Sequence, residues 1–403
     1  MNILFMSLGS FNSLEGSSVH LDVLKTLAKD HNLYLICKRE RREGKPTELA
    51  RECGVNVLRV RTGNITKSGI LEKGIATVML ERQFKSAIQR YFSNVRFDLV
   101  LYTTPPITFV GAVKYVKERD HAKTYLMLKD IFPQNAVDLG MLKKTGWKGL
   151  LYRRFRRQEK ELYRVSDYIG CMSPANCEYL LSNNPELKPE KVELCPNITE
   201  IQDVSVDVAT RNAIRAKYGV PQDAKVFVYG GNLGAAQGVS FIVECLRRQH
   251  DSRAFFLIVG SGTEYARLER YANEETPQNF KLLSKLPKSD YETLVAACDF
   301  GMIFLDRRFT IPNFPSRLLS YMKTKTPVFA VVDRNTDVGT TVVEGGFGWS
   351  CESSDPDVFV SFVRKIVETP DEEICAMKER EFAFLQERYN PNVACDAILR
   401  HFS

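Results

Sequence analysis

Short apolar strand patterns alternate with amphipathic helix patterns along this chain, and the alternation restarts in mid-chain. The first series begins at 2–9 (NILFMSLG) and the second at 226–231 (VFVYGG). Strands that alternate with helices predict parallel sheets with helices packed on their faces. A length of 403 residues is sufficient for two such domains. We therefore predict an α/β protein with two facing Rossmann-like domains, parallel sheets and an inter-domain cleft.

The domain boundary is predicted in a segment that is poor in large apolar residues. Residues 197–208 follow Pro196 and have the composition of a linker. We place an N-terminal domain at 1–198 and a C-terminal domain at 199–385. Residues 386–403 are expected to form a helix that packs back on the N-terminal domain.

Composition excludes several other classes of protein. The chain is 44% hydrophobic and 26% charged, as in ordinary globular proteins, and it has no apolar run long enough to span a membrane. Its N-terminal residues lack a basic leader, so we expect no signal peptide. Ten scattered cysteines without a CxxC pair favour reduced thiols in the cytosol, and five isolated histidines do not have zinc-site spacing.

The stretch 225–238, KVFVYGGNLGAAQG, has the pattern of a buried strand that runs through glycines into a helix. Glycines at such a position leave backbone amides uncovered at a helix start, where they can bind a phosphate. An ordinary strand–turn–helix connection would have the same pattern. Further loops at 259–264, at 305–317 and after Ala330 are expected at the same sheet edge. Arg317, in the second of these, suits bidentate contact with a pyrophosphate or, alternatively, lies on a solvated helix surface.

Three motifs in this order resemble the donor-binding half of bacterial family 4 glycosyltransferases, which have the two-domain GT-B fold. They are GGNLGxxQG from Gly230, VGxGxE from Val259 and NFPSRLLSYMKTKTPVFA from Asn313. In the first half, LMLKDIFPQNAVDLGML from Leu126 is similar to a segment of transferases that build surface polysaccharides, including fucosamine-type enzymes. The resemblance extends over nearly the whole chain.

The resemblance implies a donor site in the C-terminal domain. The donor diphosphate would lie in the glycine loop, against Gly230, Gly231, Asn232, Leu233, Gly234 and Gln237. The nucleotide base would lie near Gly260, Gly262 and Glu264. Ser316 and Arg317 would contact the diphosphate from a helix start.

In the N-terminal domain, the resemblance implies that Gly16 and Ser17 approach the donor phosphate or sugar. It also places Asp130 near the reacting centre. Asp130 follows an apolar strand pattern and precedes Pro133, so it suits a group that accepts or orients the acceptor hydroxyl proton. A turn residue that binds local backbone amides is the alternative.

This chain departs from the family pattern at two glutamate positions. Pro312 and Ser320 stand where many members have glutamates, the later of which holds the ribose hydroxyls. A serine makes fewer hydrogen bonds to a diol than a carboxylate does. Asn232 and Gln237 replace the usual cations of the phosphate loop. Ser320 is still our candidate for contact with the ribose, because it stands at the later glutamate position. Because the phosphate loop lacks its usual cations, Arg317 is expected to supply the positive charge.

The motif Asp355-Pro356-Asp357 matches the DxD signature of metal-dependent transferases. Because it directly precedes an amphipathic helix pattern, we interpret it as an N-cap followed by proline in the first turn. We expect neither a metal site nor a cofactor, and a UDP-sugar as the donor substrate.

Basic residues are concentrated in 141–165, which has nine of them against two acidic residues, a local net charge of +7. Because the whole chain also has a net charge of +7, the remainder is neutral on balance. Aromatic and leucine side chains interleave with the cations of 143–164, as in helices that lie on an anionic membrane. A solvated charged face on a core helix is the alternative. No nucleic-acid-binding motif accompanies the segment.

Together with the resemblance, these features predict a hexosyl- or N-acetylhexosaminyl-type glycosyltransferase that transfers a sugar to a lipid-pyrophosphoryl glycan. The resemblance implies that it retains the anomeric configuration. It would be cytoplasmic and peripheral to the inner face of the cytoplasmic membrane, in synthesis of capsule or O antigen. Two alternatives remain open. One is a non-hydrolysing UDP-sugar epimerase, and the other is a non-catalytic sugar-nucleotide-binding or scaffold protein.

Overall fold

The computed structural model describes residues 1–65 and 70–402. It divides the chain into two compact units. The first consists of Met1–Glu200 together with Pro391–Ser403, and the second of Ile201–Asn390. Residues 201–206, within the predicted linker, have no helix or strand.

The strands of the first unit are β1 (Asn2–Ser7), β2 (Asn32–Glu40), β3 (Glu48–Glu52), β4 (Val55–Thr62), β5 (Leu99–Thr103), β6 (Lys123–Leu128), β7 (Tyr168–Cys171) and β8 (Val192–Leu194). Those of the second are β9 (Lys225–Asn232), β10 (Ala254–Ser261), β11 (Phe280–Ser284), β12 (Phe300–Phe304), β13 (Val328–Val332) and β14 (Gly348–Glu352).

The α-helices of the first unit begin with α1 (Val19–Leu27), α2 (Ile70–Tyr91), α3 (Val110–Asp120), α4 (Gln134–Asp138), α5 (Gly146–Val165) and α6 (Pro174–Asn183). The second unit contains α7 (Val208–Tyr218), α8 (Val239–Arg248), α9 (Tyr265–Glu275), α10 (Lys288–Ala296), α11 (Arg317–Lys323), α12 (Val338–Glu344), α13 (Pro356–Val367) and α14 (Asp371–Arg388). The last helix, α15 (Pro391–Leu399), belongs to the first unit again.

The sheet of the first unit has the strand order β3-β4-β2-β1-β5-β6-β7-β8. All its neighbouring strands are parallel except β3 and β4, which form an antiparallel hairpin. The prediction of parallel sheets is therefore wrong at this edge. The hairpin turn contains Cys53 at φ 47° and Gly54 at φ 80°, the left-handed conformations that a tight two-residue turn requires.

The core of the first unit lies against the apolar strands β1, β2 and β5, which are buried on both faces. On one face, α1 packs with α15, so the C-terminal helix contributes Ala394, Cys395 and Ile398 to this core. We had predicted that the C-terminal helix begins at 386. Instead, α14 continues to Arg388 in the second unit, and the chain enters the first unit at Pro391.

The second unit repeats the strand–helix alternation, as the sequence predicted. Its sheet has the order β11-β10-β9-β12-β13-β14, and every neighbouring pair is parallel. The order reverses at β9, which lies between β10 and β12. In open parallel sheets, ligands bind beyond the carboxyl ends of the strands at such a switch point.

A buried ion pair holds β9 beside β12 at the opposite end of these strands. Arg215 of α7 donates from Nη2 to Asp299 Oδ2 at 2.7 Å and from Nε to the Ala297 carbonyl at 2.8 Å. The same Asp299 oxygen accepts the Val226 N–H at 2.6 Å. Since Arg215 is fully buried and Asp299 precedes β12, this contact fixes where both strands begin.

Strand β6 ends at Leu128, directly before Lys129 and Asp130. The amides of Lys129 and Asp130 donate to the Thr104 hydroxyl at 3.1 and 3.3 Å, so they leave the strand ladder. Among the residues described, no helix has the length and hydropathy needed to cross a bilayer.

Candidate functional site

Four loops of the second unit follow β9, β10, β12 and β13, and therefore lie at one edge of its sheet. Gly231 at the end of β9 has φ 123°, and Gly238 in the loop that follows has φ 61°, conformations that residues with side chains rarely adopt. Its middle residues form a short 3₁₀ turn at Ala235–Gln237 before α8 begins. The predicted strand–glycine–helix connection is confirmed in its geometry.

The carboxyl ends of β9 and β10, and the loops that follow them, touch through their backbones. A Cβ on Gly260 would lie 2.1 Å from the Gly231 carbonyl oxygen, and one on Gly262 would lie 2.3 Å from that of Leu233. Hydrogen bonds tie the same loops together, from the Leu233 amide to the Ser261 carbonyl at 3.0 Å and from the Glu264 amide to the Leu233 carbonyl at 2.9 Å. Gly260 and Gly262 thus position the glycine loop through close packing.

The side chain of Gln237 folds back over the glycine loop. Its Oε1 accepts the Gly234 amide at 3.1 Å and lies 3.3 Å from Asn232 Nδ2. Helix α8 begins directly after this turn, and no side chain caps its N-terminus. Most amides of the loop bond within the protein, so the loop presents the uncapped N-terminus of α8, a position that favours anions.

Arg317 lies against this loop, although it is 87 positions away from Gly230 in sequence. Its Nε donates to the Gly230 carbonyl and its Nη2 donates to the Tyr229 hydroxyl at 2.7 Å. The guanidinium also lies 4.0 Å from the centre of the Tyr229 ring, a close cation–π contact. Arg317 is therefore held beside the glycine loop, and the alternative of a solvated surface arginine is wrong.

A tyrosine also restricts the base of the loop. A Cβ on Gly230 would lie 2.1 Å from the ring of Tyr291, so only glycine fits there. Burial raises the pKa of Tyr291 to about 12, so this side chain is neutral at physiological pH. Gly230 is thus required for packing, and Arg317 is the cation at this point of the edge.

The remaining predicted donor residues lie in the loops after β10 and β12. The Glu264 carboxylate forms an ion pair with Arg267 in the first turn of α9. Ser316 is exposed at the start of α11, and Ser320 is half-buried in the same helix. Pro312 is buried in the preceding loop.

In the first unit, Gly16 and Ser17 lie in the loop between β1 and α1. Gly16 is exposed and has φ 88°. The Ser17 hydroxyl donates to Asp22 Oδ2 at 2.8 Å, and the same buried carboxylate accepts the Glu200 amide at 3.1 Å. These bonds fix the loop on the first turns of α1.

Asp130 lies just beyond the carboxyl end of β6, as the sequence predicted, and is half-buried there. Its Oδ1 accepts a hydrogen bond from Asn135 Nδ2 at 2.7 Å. Burial raises the pKa of Asp130 to about 6, although the bonds from Asn135 and the Ile131 amide act in the opposite direction. A carboxyl group with such a pKa at a strand end suits acid–base chemistry near neutral pH.

Two titratable residues at these edges were missed from the sequence. The His20 ring packs edge-on against Phe5 and Phe11, and burial with nearby Lys129 lowers its pKa to about 4. In the second unit, Asp333 directly follows β13, and burial raises its pKa to about 6. The signal for Asp333 was present, because an aspartate after a buried strand is what identified Asp130.

The DxD match has a structural explanation in the second unit. The Asp355 side chain accepts the Asp357 amide at 2.9 Å, and Pro356 occupies the first turn of α13. The interpretation as a helix cap is confirmed. Among the described parts of the chain, no group of three His, Cys, Asp or Glu side chains is arranged to hold a metal ion.

Comparison with known proteins agrees with this geometry. Residues 210–381 match the family Glycosyl transferases group 1. The chain is 23% identical over 330 residues to a protein named as a glycosyltransferase, WbjE of Pseudomonas aeruginosa, which covers 82% of this chain and 80% of that protein. It is also 23% identical over 246 residues to WcaI of Escherichia coli (strain K12), named as a colanic acid biosynthesis glycosyl transferase, with 60% and 59% covered.

Among solved structures, HepE of Anabaena in complex with UDP and glucose superposes with a TM-score of 0.71 at 14% identity. The match covers 100% of this chain and 99% of that one. At this identity the likeness establishes the fold, and it confirms the GT-B fold that the sequence predicted. The resemblance to bacterial glycosyltransferases of surface polysaccharides is also confirmed.

The close contact of the two loops gives a stability prediction. Gly260→Ala places a methyl group against the Gly231 carbonyl, and we expect it to lower the free energy of unfolding by about 1–3 kcal/mol. Urea denaturation of the full chain measures this change. The control is Ser261→Ala at the exposed neighbouring position, which should have little effect. Equal stability of the two variants would contradict the close contact between Gly260 and the Gly231 carbonyl.

Proposed function

We propose that this chain, whose second unit contains a group 1 glycosyltransferase domain, is a retaining glycosyltransferase of bacterial surface polysaccharide synthesis. It moves a sugar from a UDP-linked donor to a hydroxyl group of a lipid-linked glycan. The observation that carries the proposal is Arg317 held against the glycine loop, directly before the uncapped N-terminus of α8. The relatives named above support the biosynthetic setting, and the neighbour solved with UDP and glucose supports the donor class.

We assign the donor diphosphate to the second unit. Negative charge builds on the diphosphate as its bond to the sugar breaks, and preorganised amides and a fixed guanidinium stabilise that charge without reorganisation. Asn232 and Gln237 are neutral, so the backbone amides and Arg317 provide most of this stabilisation. The hydroxyls of Ser316 and Ser320 are our candidates for further contacts with the donor.

We assign the acceptor hydroxyl to the first unit, at Asp130. Because its pKa of about 6 leaves it ionised at neutral pH, Asp130 accepts a hydrogen bond from the incoming hydroxyl and orients it. The proton passes to the leaving diphosphate in this scheme. We propose that the reaction needs no metal ion, which chelation tests directly.

We propose that α5 of the first unit rests on the anionic membrane that holds the acceptor. Trp147 is 75% exposed and Leu150 is 65% exposed, and Met141 and Leu151 are also exposed on this surface. Arg153, Arg154 and Arg157 are exposed on the same helix. Exposed large apolar side chains beside arginines suit the headgroup boundary of an anionic bilayer.

The function is tested by incubating the protein with a panel of UDP-sugars, with and without a lipid-pyrophosphoryl sugar, in the presence of EDTA. We expect UDP release that depends on the acceptor. Isomerisation of the UDP-sugar without acceptor would instead identify an epimerase. Tight binding of a UDP-sugar without turnover would identify a non-catalytic binding protein.

Arg317→Ala should weaken UDP binding by about 2 kcal/mol, or roughly 30-fold, because a charge-assisted contact is lost. Isothermal titration with UDP measures the change. Arg270→Ala, on the outer face of α9 where Arg270 is 73% exposed, is the control and should bind UDP normally. Unchanged affinity in Arg317→Ala would remove Arg317 from the donor site.

Asp130→Asn should reduce kcat about 10²–10⁴-fold if Asp130 orients the acceptor hydroxyl. In the wild type, activity should fall as the pH drops through about 6, which gives the pH profile an acidic limb. The residual activity of the variant should lack this acidic limb. Asp138→Asn in the nearby helix α4 is the control, and it should retain the limb.

A stability measurement separates this effect from misfolding. Because the pKa of Asp130 is raised in the folded state, the ionised carboxylate destabilises the fold above pH 6. Asp130→Asn should therefore raise the melting temperature at pH 8 and raise it less at pH 5. A variant that is less stable at pH 8 would contradict the buried-carboxylate explanation.

A further inference from the structure

A cavity of about 70 Å³ lies inside the first unit, apart from the residues assigned above. Residues on or near helices α4, α5 and α6 line it, it is partly open to solvent, and its polar lining includes Gln134, Lys144, Tyr152, Arg156, Glu159 and Tyr179. This volume is several times the minimum that one water molecule needs, and it is large enough for a small anion such as a phosphate group.

The floor of the cavity is a closed network around Glu159. Arg156 Nη1 donates to Glu159 Oε2 at 2.6 Å, and the Tyr163 hydroxyl donates to Oε1 at 2.7 Å. Arg156 Nη2 reaches the Asn183 carbonyl at 2.9 Å and Asn184 Oδ1 at 2.6 Å. The negative charge of Glu159 is thereby balanced by Arg156. Arg156 uses three of its N–H groups in these bonds and still has others available to a ligand.

The remaining cation of the lining is Lys144. Its ammonium lies 5.7 Å from the centre of the Tyr152 ring, and within the described residues it forms no ion pair with a carboxylate. Lys144, Arg156 and Glu159 give the lining a net charge of +1. An anion in the cavity would pair with Lys144 and accept hydrogen bonds from the remaining N–H groups of Arg156.

The position of the cavity indicates which anion it binds. The exposed side chains of Trp147, Leu150 and Leu151 are on α5 directly before Tyr152. Gln134, on the cavity wall, is adjacent in α4 to Asn135, whose amide binds the Asp130 carboxylate at 2.7 Å. A ligand with an apolar chain, a phosphate and a sugar hydroxyl would match the apolar side chains of α5, the basic cavity and Asp130, in that order.

We propose that this cavity binds a phosphate group of the lipid-pyrophosphate acceptor. The inference rests on the proposed function and deepens it, because it assigns the acceptor headgroup to Lys144 and Arg156. The apolar chain then extends over the exposed side chains of α5. Tyr152 and Tyr179 form the walls.

The test measures binding of geranyl pyrophosphate, a short water-soluble probe, to the full chain with its donor site saturated by UDP. We expect Lys144→Ala to bind the probe about ten-fold more weakly than the wild type, through loss of a charged contact. Lys143→Ala removes the same charge one position away, outside the cavity lining, and should bind normally. Both lysines are exposed, so neither variant should unfold.

Equal affinities of these two variants for the probe would overturn the inference while leaving the proposed function standing. A chain that does not bind UDP would instead count against the proposed function itself. Sedimentation with vesicles of phosphatidylglycerol and phosphatidylcholine distinguishes the source of the phosphate. We expect the two lysine variants to bind the vesicles equally, and a loss confined to Lys144→Ala would assign the cavity to a phospholipid headgroup and overturn the inference.

Discussion

The backbone contact between the carboxyl ends of β9 and β10 and the loops that follow them is the constraint on which the second unit's site depends. Gly260 and Gly262 lack a Cβ, so the carbonyl groups of Gly231 and Leu233 can lie where side chains would otherwise be. This packing fixes the position of the glycine loop at the sheet edge, where α8 begins. Backbone N–H groups bind a phosphate well only when their positions are fixed, because a single N–H group contributes little binding energy. Arg317 depends on the same geometry, since it binds the Gly230 carbonyl at the base of the loop.

Positive charge is distributed unequally between these two parts of the protein. The glycine loop has few side-chain cations, and Arg317 is held there by Tyr229 and by backbone. The excess basic charge lies instead on α5 of the first unit, beside apolar side chains that do not pack in the core. This separation follows from two different tasks in the proposed reaction. A diphosphate needs a few fixed donors, whereas a membrane needs many solvated cations.

Helix α5 combines the two interpretations of its basic amphipathic sequence, a helix that packs in the core and a helix that lies on an anionic membrane. Leu162 and Tyr163 are buried, and Phe155 packs on Phe132, as expected for a helix that covers a sheet. Trp147 and Leu150, two or more turns earlier, are mostly exposed. One end of the helix therefore stabilises the fold, while the other presents an apolar surface. The cavity floor at Glu159 belongs to the packed part.

The sequence by itself determined the two α/β units, most of their strands, the glycine loop and Asp130, because these depend on local periodicity and on residues close together in the chain. Only the tertiary structure decided that Arg317 lies under the loop, that β3 runs antiparallel, and that Asp333, His20 and the α5 cavity exist as chemical features. Each of these depends on burial or on contact between distant residues, as with Arg317 and Gly230. A pattern of residue types predicts elements, but pKa values, ion pairs and cavities arise only once those elements pack and exclude water.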